Sequence, residues 1–119
     1  MYILKFFDIL VIVAKTNKKL IRNNFNELCL KRDGYKCVFC DIKTDLDVHH
    51  IVDRSDMPNG GYVKSNGITL CSEHHLCAEQ FHITGIAMLN FHPDDLFKII
   101  NSSYEQAYKD SLMLVKNNI

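Results

Sequence analysis

The sequence has no repeat, no low-complexity segment and no apolar run of membrane-spanning length. Its most apolar stretch, residues 3–14, contains Lys5 and Asp8 and is far shorter than the roughly 20 residues of a membrane helix. The basic cluster of the sequence follows this apolar stretch, whereas a signal peptide carries its positive charges before the apolar segment. We therefore expect no membrane contact and no secretion. Residues 3–14 should form a buried strand or helix, with a partner-binding or dimerising segment as the alternative.

An excess of charge of either sign is also missing, because 14 Lys and Arg balance 14 Asp and Glu. Zero net charge argues at first against a nucleic-acid partner, but the charges are unevenly distributed. Residues 1–45 hold nine basic and five acidic residues, and residues 46–119 hold five and nine. The basic half could form a phosphate-binding face or only solvated helix surfaces. It consists of Lys15, Lys18, Lys19, Arg22, Lys31, Arg32 and Lys36.

A chain of 119 residues with 47% apolar content fits a single ordered domain, residues 1–119. Its five cysteines are an odd number, and three of them lie at metal-ligand spacing, so a disulfide framework is not expected. We interpret Cys29 and Cys77 as buried or idle thiols. A reducing compartment, the cytoplasm, follows from this cysteine usage.

The hydrophobic pattern predicts an α+β fold. Helical spacing predicts a first helix over residues 18–33, which ends at Asp33-Gly34. A long-looped hairpin is predicted from two strand-like segments, residues 46–52 and 68–70. A second helix is predicted over residues 73–81, with Ser72 as its N-cap. Two further helices begin at Pro93 and at a capping box, Ser102-x-x-Glu105. One face of the last helix should belong to the core or cover a metal module: Tyr104, Ala107, Tyr108, Leu112 and Val115.

Two closely spaced ligand pairs predict a structural zinc site. Cys37-x-x-Cys40 is followed thirty residues later by Cys71-x-x-His74, and tetrahedral zinc is usually bound by two such pairs. A redox dithiol is the alternative for the first pair, but no βαβ pattern surrounds it. His75 is the alternative to His74 as the fourth ligand.

A histidine pair, His49-His50, lies between the two halves of this clamp. Histidine titrates near neutrality, so a neutral imidazole can accept a proton at working pH. Adjacent strand residues point to opposite faces, which favours separate roles for the two side chains. The alternative is a pair of core or zinc-binding histidines.

Taken together, these segments resemble the HNH endonuclease family over residues 28–82, and more narrowly a phage and bacterial group with Gly-Gly-Tyr and Asn-Gly segments. The segments that carry the resemblance are Arg32-Asp33-Gly34-Tyr35-x-Cys37-x-x-Cys40, Val48-His49-His50-Ile51, Gly60-Gly61-Tyr62 and Asn66-Gly67-Ile68-Thr69-Leu70-Cys71-x-x-His74-His75. The order and spacing of the segments are specific, although each one is ordinary. The fourth zinc ligand is often cysteine in this family, whereas this sequence has His74.

The resemblance implies a small ββα-metal, treble-clef-like core with a structural zinc. We expect N- and C-terminal helices to flank this core, in an apolar and basic N-terminal segment (residues 1–27) and a C-terminal helical segment (residues 93–117). The resemblance also implies a one-metal nuclease that cuts DNA, most readily duplex DNA, in a host-cell cytoplasm if the chain is phage-encoded. The implied roles are His50 as general base, Asn66 as the residue that orients its loop, His49 and His75 as ligands of a catalytic divalent ion, and Cys37, Cys40, Cys71 and His74 as zinc ligands. Mg²⁺ or Mn²⁺ is the expected catalytic ion, with Ni²⁺ and Zn²⁺ as alternatives.

Further candidates are less specific. Arg32, Lys36, Arg54 and Lys64 are expected to contact the nucleic-acid backbone. Glu79 could hold a metal-bound imidazole or belong to a solvated helix surface, and His82 and His92 have no distinctive spacing. A zinc-dependent nucleic-acid-binding module without cleavage is the rival function, and a protein-interaction domain is a third. The target, the biological role and the choice between monomer and homodimer stay open.

Overall fold

A computed structural model describes the backbone of residues 6–117 and the side chains of residues 18–114. Within these limits the protein has the predicted α+β class, with a two-stranded antiparallel sheet and helices. The elements are α1 (Phe6–Arg32), β1 (Leu46–His50), β2 (Gly67–Cys71), α2 (Ser72–Thr84), α3 (Pro93–Ile99) and α4 (Tyr104–Asn117). Three short 3-10 turns lie between the strands, at Arg54–Asp56, Pro58–Gly61 and Lys64–Asn66. None of the helices in the described part is long and apolar enough to cross a membrane.

Helix α1 is longer than predicted, because it begins at Phe6 and not at residue 18. The apolar stretch of residues 3–14 therefore continues the helix from residue 6, while the packing of its side chains lies outside the described residues. The helix ends at Arg32, one residue before the predicted end at Asp33, and Gly34 adopts the left-handed φ of +74° expected of a helix exit. The amide of Tyr35 closes this end by donating to the carbonyl of Leu30 at 2.8 Å.

The C-terminal half of α1 packs closely on the start of β2. Phe25 and Cys29 are buried there, and a Cβ atom added at Gly67 would lie only 2.6 Å from the Cys29 Sγ and from the Phe25 ring. The guanidinium of Arg32 fixes the same contact by donating to the carbonyls of Lys64, at 2.7 Å, and Gly67, at 2.6 Å. A glycine is thus required where the helix meets the strand.

In the sheet, His49 pairs with Ile68 and His50 pairs with Gly67. Strand β1 ends at His50, so the prediction that it extends to residue 52 is wrong. The chain leaves the ladder here, and the amide of Ile51 donates to the carbonyl of Asn66 at 2.9 Å. Strand β2 is buried along its whole length.

Helix α2 follows β2 without a loop. Cys71 is its N-cap and makes no side-chain capping bond, so the predicted N-cap Ser72 is wrong. The Ser72 hydroxyl instead donates to the carbonyl of Asp45 at 3.4 Å. The main core combines apolar side chains from the segment between the two strands, from β2, from the last three helices and from the connection between α2 and α3: Ile51, Met57, Ile68, Leu70, Ala78, Phe91, Leu96, Phe97 and Ala107.

The last helix packs on the loop between the strands. The predicted capping box at Ser102 is wrong, because the amide of Gln106 donates to the Ser103 Oγ at 3.1 Å. The Ser102 hydroxyl instead donates to the carbonyl of Ser65 at 2.8 Å, and the Ser65 hydroxyl donates to Asp110 at 2.6 Å. These bonds tie the start and middle of α4 to the turn before β2.

The predicted buried stripe of α4 is wrong for most of its members. Tyr104, Tyr108 and Leu112 are between 41% and 48% exposed, and Ala107 alone among the described members is buried. Ser111 is buried beside Ala107, and its carbonyl accepts from Asn59 at 2.9 Å. Small side chains face the loop because the helix approaches its backbone closely, and the tyrosines are left outside. The predicted member Val115 lies outside the described side chains.

Candidate metal centre and active site

The four residues of the predicted clamp converge on one point. The Sγ atoms of Cys37, Cys40 and Cys71 and a ring nitrogen of His74 all lie within 4.8 Å of one another. Individual separations are 3.2 Å from Cys71 Sγ to His74 Nδ1, 3.5 Å from Cys37 Sγ to the same nitrogen, and 3.7 Å between the sulfurs of Cys40 and Cys71. Tetrahedral zinc with ordinary bond lengths requires edges of about 3.5 Å between sulfur and nitrogen and about 3.8 Å between sulfurs. The cluster therefore fits a structural zinc ion.

Local structure prepares this site for a cation. A tight turn closes the first pair, with the amide of Cys37 donating to the carbonyl of Ile42 at 2.8 Å. Burial raises the pKa of the Cys37 thiol, but backbone amides of Cys71, Phe39 and Cys40 outweigh it and lower the pKa to about 7. The thiolate is the form that binds metal, so these amides favour binding at Cys37. At Cys40 the amide of Ile42 lowers the pKa, but desolvation and the neighbouring thiols of Cys37 and Cys71 outweigh it and raise the pKa to about 11.

An aromatic wall covers the histidine side of the clamp. The Phe39 ring stacks on His74 at a centroid distance of 5.3 Å and on Phe91 at 4.6 Å. His74 thus belongs to the clamp, while the side chain of its neighbour His75 contacts Asp47 and Glu79 instead. The alternative in which His75 closes the clamp is not the arrangement found.

A second cluster lies between β1 and α2. His49 is 1% exposed, and its Nδ1 lies 3.2 Å from the Glu79 Oε1. The Nε2 of His75 lies 3.2 Å from the same oxygen, and its Nδ1 lies 3.4 Å from Asp47 Oδ2. His82 joins the cluster, because ligand atoms of His49, Glu79 and His82 lie within 4.8 Å of one another.

Burial keeps His49 neutral in this cluster. Desolvation lowers the pKa of its imidazole to about 3, and the nearby charges of His82, His75 and His50 act in the same direction. A neutral imidazole has a lone pair for a metal ion, whereas a protonated one would repel the ion.

His50 points to the other side of β1, as the strand geometry predicted. Its ring stacks on Phe25 of α1 at 4.6 Å and meets the edge of Tyr62 at 4.7 Å. Its Nε2 atom is buried and has no hydrogen-bond partner among the described residues. Burial, followed by the charge of Arg54, lowers the pKa of His50 to about 4, although Asp53 opposes them. The ring is therefore neutral at physiological pH, with an unpartnered nitrogen.

Both histidines border one open cleft of about 440 Å³ at the end of β1. The cleft brings together the aromatic surroundings of His50, the carboxylate cluster around His49 and two arginines. Its lining residues are Arg22, Phe25, Asn26, Val48, His49, His50, Asp53, Arg54, Tyr62, His75, Glu79 and His82.

Asn66 supports the segment that follows His50. Its side chain is completely buried, with Oδ1 accepting from the amide of Val52 at 3.0 Å. Its Nδ2 donates to the carbonyls of Val52, at 3.1 Å, and Gly61, at 3.2 Å. Asn66 thus holds both sides of the loop and lies outside the lining of the cleft.

The four expected nucleic-acid contacts differ in their positions. Arg54 lines the cleft, and its guanidinium donates to the Tyr62 hydroxyl at 3.2 Å. Arg32 is engaged with backbone carbonyls of the fold, as described above. Lys36 forms a surface ion pair with Asp41 at 3.3 Å, and Lys64 is exposed away from the cleft lining.

Three residues at the cleft were missed or given little weight at the level of sequence. Glu79 and His82 follow His75 by four and seven residues, which places the three side chains on one face of α2. That spacing was a usable signal for a metal cluster. Arg22 belongs to the predicted basic half, but only the approach of α1 to β1 brings it to the cleft.

Comparison with known proteins agrees with the motif. A family model described as HNH endonuclease matches residues 37–81 and confirms the resemblance over that segment. The matched segment contains the clamp, the histidine pair, Asn66, His75 and Glu79, and it ends one residue before His82. No curated protein and no solved structure matches the chain.

Proposed function

We propose, from the match of residues 37–81 to the HNH endonuclease family, that the protein is a metal-dependent endonuclease that hydrolyses DNA phosphodiester bonds. In this proposal β1, β2 and α2 form a ββα-metal core stabilised by structural zinc. The observation that carries the proposal is the unpartnered Nε2 of His50 beside the cluster of His49, His75 and Glu79. A zinc module that only binds nucleic acid would need neither feature.

His50 acts as the general base in the proposed reaction. Its Nε2 takes a proton from a water molecule, and the water oxygen forms a bond to phosphorus as the bond from phosphorus to the 3′-oxygen breaks. The 3′-oxygen leaves with the bonding electron pair and takes up a proton from solvent water, so the products are a 5′-phosphate and a 3′-hydroxyl. Phe25 and Tyr62 hold the ring, so little reorganisation is needed before proton transfer. The negative charge of the substrate phosphate stabilises the protonated imidazole, so substrate binding raises the low pKa of His50.

The second cluster is the proposed site of the catalytic cation. His49, His75 and Glu79 would hold Mg²⁺ or Mn²⁺, with Ni²⁺ and Zn²⁺ as alternatives, and the ion would neutralise charge on the phosphate and the leaving oxygen. The neutral state of His49 and the carboxylate shared by two imidazoles fit this role. Asp47, within 3.4 Å of His75, fixes the orientation of that ring.

Two arginines that line the cleft are the proposed phosphate contacts closest to the chemistry. Arg22 comes from α1 and Arg54 from the loop after β1, so a DNA strand in the cleft could be contacted from both elements. Lys36 and Lys64 lie farther out and would contribute through long-range attraction. We assign to Arg32 a role in stabilising the fold, because its guanidinium donates to the carbonyls of Lys64 and Gly67 and to the Asp33 carboxylate.

Plasmid nicking tests the proposal directly. Untagged protein with Mn²⁺ or Mg²⁺ should convert supercoiled plasmid to the open-circular form, and His50→Ala should lose this activity by a factor of about 10² or more. His92→Ala is the matched control, because His92 caps α3 and does not line the cleft. Ligation of the nicks by DNA ligase without further treatment would verify the predicted ends.

Equal nicking by wild type and His50→Ala would refute the assignment of the base. Binding of DNA without nicking in any of the four metals would favour the non-catalytic binding module instead. A gel-shift measurement on the same samples separates these results, since it reports binding independently of cleavage.

A further inference from the structure

We propose that His82 is a third imidazole ligand of the catalytic ion, and that it biases the centre toward Ni²⁺, Co²⁺ or Zn²⁺ over Mg²⁺. The proposal rests on the proposed function, because it requires an ion bound at the second cluster. His82 lies just beyond the segment that matches the family model.

The positions of His49 and His82 fit ligation of one ion, because ligand atoms of these two residues and of Glu79 lie within 4.8 Å of one another. The His49 ring centroid lies 5.0 Å from that of His82 and 5.2 Å from that of His75. A metal–nitrogen bond of about 2.1 Å places an imidazole centroid about 3.3 Å from the ion. The centroids of two rings bound at 90° or at the tetrahedral angle about that ion would then be separated by about 4.7–5.4 Å. Both observed separations lie in this interval.

The hydrogen bond of His82 supports the same role. Its Nε2 lies 2.9 Å from the carbonyl oxygen of His50, which can only accept, so Nε2 carries the proton. In the neutral ring Nδ1 therefore keeps its lone pair. A backbone carbonyl that binds the opposite nitrogen is the usual device for orienting a metal-bound histidine.

Helix α2 explains how the ligands reach one point. His75, Glu79 and His82 follow one another at intervals of four and three residues, so they project from the same face toward His49. The resulting donor set would be three imidazoles and one carboxylate. Such a set favours later first-row metals, whereas Mg²⁺ prefers oxygen ligands and water.

The variant His82→Gln separates a metal ligand from a backbone clamp. Its side-chain amide nitrogen can still donate to the His50 carbonyl, but no imidazole nitrogen is left to bind an ion. Binding of Ni²⁺ and of Mg²⁺ to the untagged, zinc-loaded protein would be measured by calorimetry. His92→Gln makes the same chemical change away from the cleft and serves as the control.

We expect His82→Gln to weaken Ni²⁺ binding about tenfold or more, with Mg²⁺ affinity changed far less, while His92→Gln binds as wild type. Unchanged Ni²⁺ affinity in His82→Gln would overturn the proposal, as would an equal loss for both metals. Wild-type protein that binds no ion beyond the structural zinc would overturn the proposed catalytic centre itself, which is a different result.

A measurement on the wild type makes the test independent of how the variant folds. Titration of ¹⁵N-histidine-labelled protein with Zn²⁺ should shift the Nδ1 resonance of His82 together with the resonances of His49 and His75. A His82 Nδ1 that stays at its metal-free position at saturation contradicts ligation.

Discussion

Asn66 makes three side-chain hydrogen bonds inside the protein, and their replacement gives the sharpest test of how the loop holds His50. In Asn66→Ala the amide and carbonyl of Val52 and the carbonyl of Gly61 lose their partners. Because Val52 lies two residues after His50, freedom at this point is transmitted directly to the proposed base. The prediction concerns both stability and catalysis.

The expected loss of stability follows from the number of bonds. A hydrogen bond contributes about 0.5–1.5 kcal/mol net, and Asn66 is completely buried, so removal of three bonds should cost about 2–4 kcal/mol. Asn24→Ala changes an exposed residue of α1 and should stay within about 0.5 kcal/mol. The measurement is urea unfolding followed by circular dichroism at constant free zinc.

The near-isosteric Asn66→Asp sharpens the test, because it changes a donor to an acceptor with almost no change of volume. An ionised carboxylate would face the carbonyls of Val52 and Gly61, so burial and these neighbours should raise its pKa in the folded state. A raised folded pKa means that the stability is present at low pH and is lost as the pH rises through that pKa. Asn66→Asp should therefore be more stable near pH 5 than near pH 8 relative to wild type.

Two results would refute this reasoning. One is a loss below about 1 kcal/mol in Asn66→Ala, which would mean that the three bonds contribute little. The other is an Asn66→Asp protein whose stability relative to wild type does not change between pH 5 and pH 8. Nicking by Asn66→Ala at a temperature where it is folded should also fall, and an unchanged rate would show that the loop does not position His50.

The clamp, the helix–sheet contact and the cleft arginines give three more predictions. Cys40→Ser should lose about one zinc ion per chain and unfold the middle of the protein, whereas Cys77→Ser should keep the zinc ion and the folded structure. Metal analysis and circular dichroism measure the two properties. A folded, zinc-free Cys40→Ser protein would contradict the zinc clamp. Gly67→Ala should cost about 1–3 kcal/mol in urea unfolding and reduce nicking, because its Cβ would displace Phe25 from α1; wild-type stability would disprove the close contact. Arg22→Ala should weaken DNA binding in gel shifts and lower the slope of log K against log salt by about 1, and an unchanged slope would remove Arg22 from the interface.

The sequence predicted the clamp well, because each half is local. Cys37 and Cys40 belong to one tight turn, and Cys71 and His74 belong to the start of one helix, so spacing alone suffices. The two strands could be predicted from their β-branched and apolar residues alone. The pair of strands then brings the two halves together, which spacing by itself does not show.

The surroundings of His50 could not be predicted in this way. Phe25 comes from a helix that ends before the clamp, and Tyr62 comes from the loop after β1. Their contacts depend on how α1 crosses the sheet, which is decided by the close approach at Gly67. The same kind of tertiary contact explains the error in α4, where small residues face the loop and the tyrosines do not.

The register of the sheet separates the two proposed metal sites. Leu46 pairs with Cys71 at the clamp, whereas the proposed ligand His49 pairs with Ile68 at the cleft, and three residues of strand span about 10 Å. Helix α2 serves both sites, since His74 and His75 are adjacent but point about 100° apart around its axis.

This arrangement predicts an asymmetry between the two sites. Loss of zinc frees the first turn of α2 and with it His75, so Cys40→Ser should abolish nicking as well as metal content. His50→Ala removes only a side chain at the far end of β1, so it should abolish nicking and retain the zinc. Retention of nicking by a zinc-free Cys40→Ser protein would show that the clamp does not position the proposed active site.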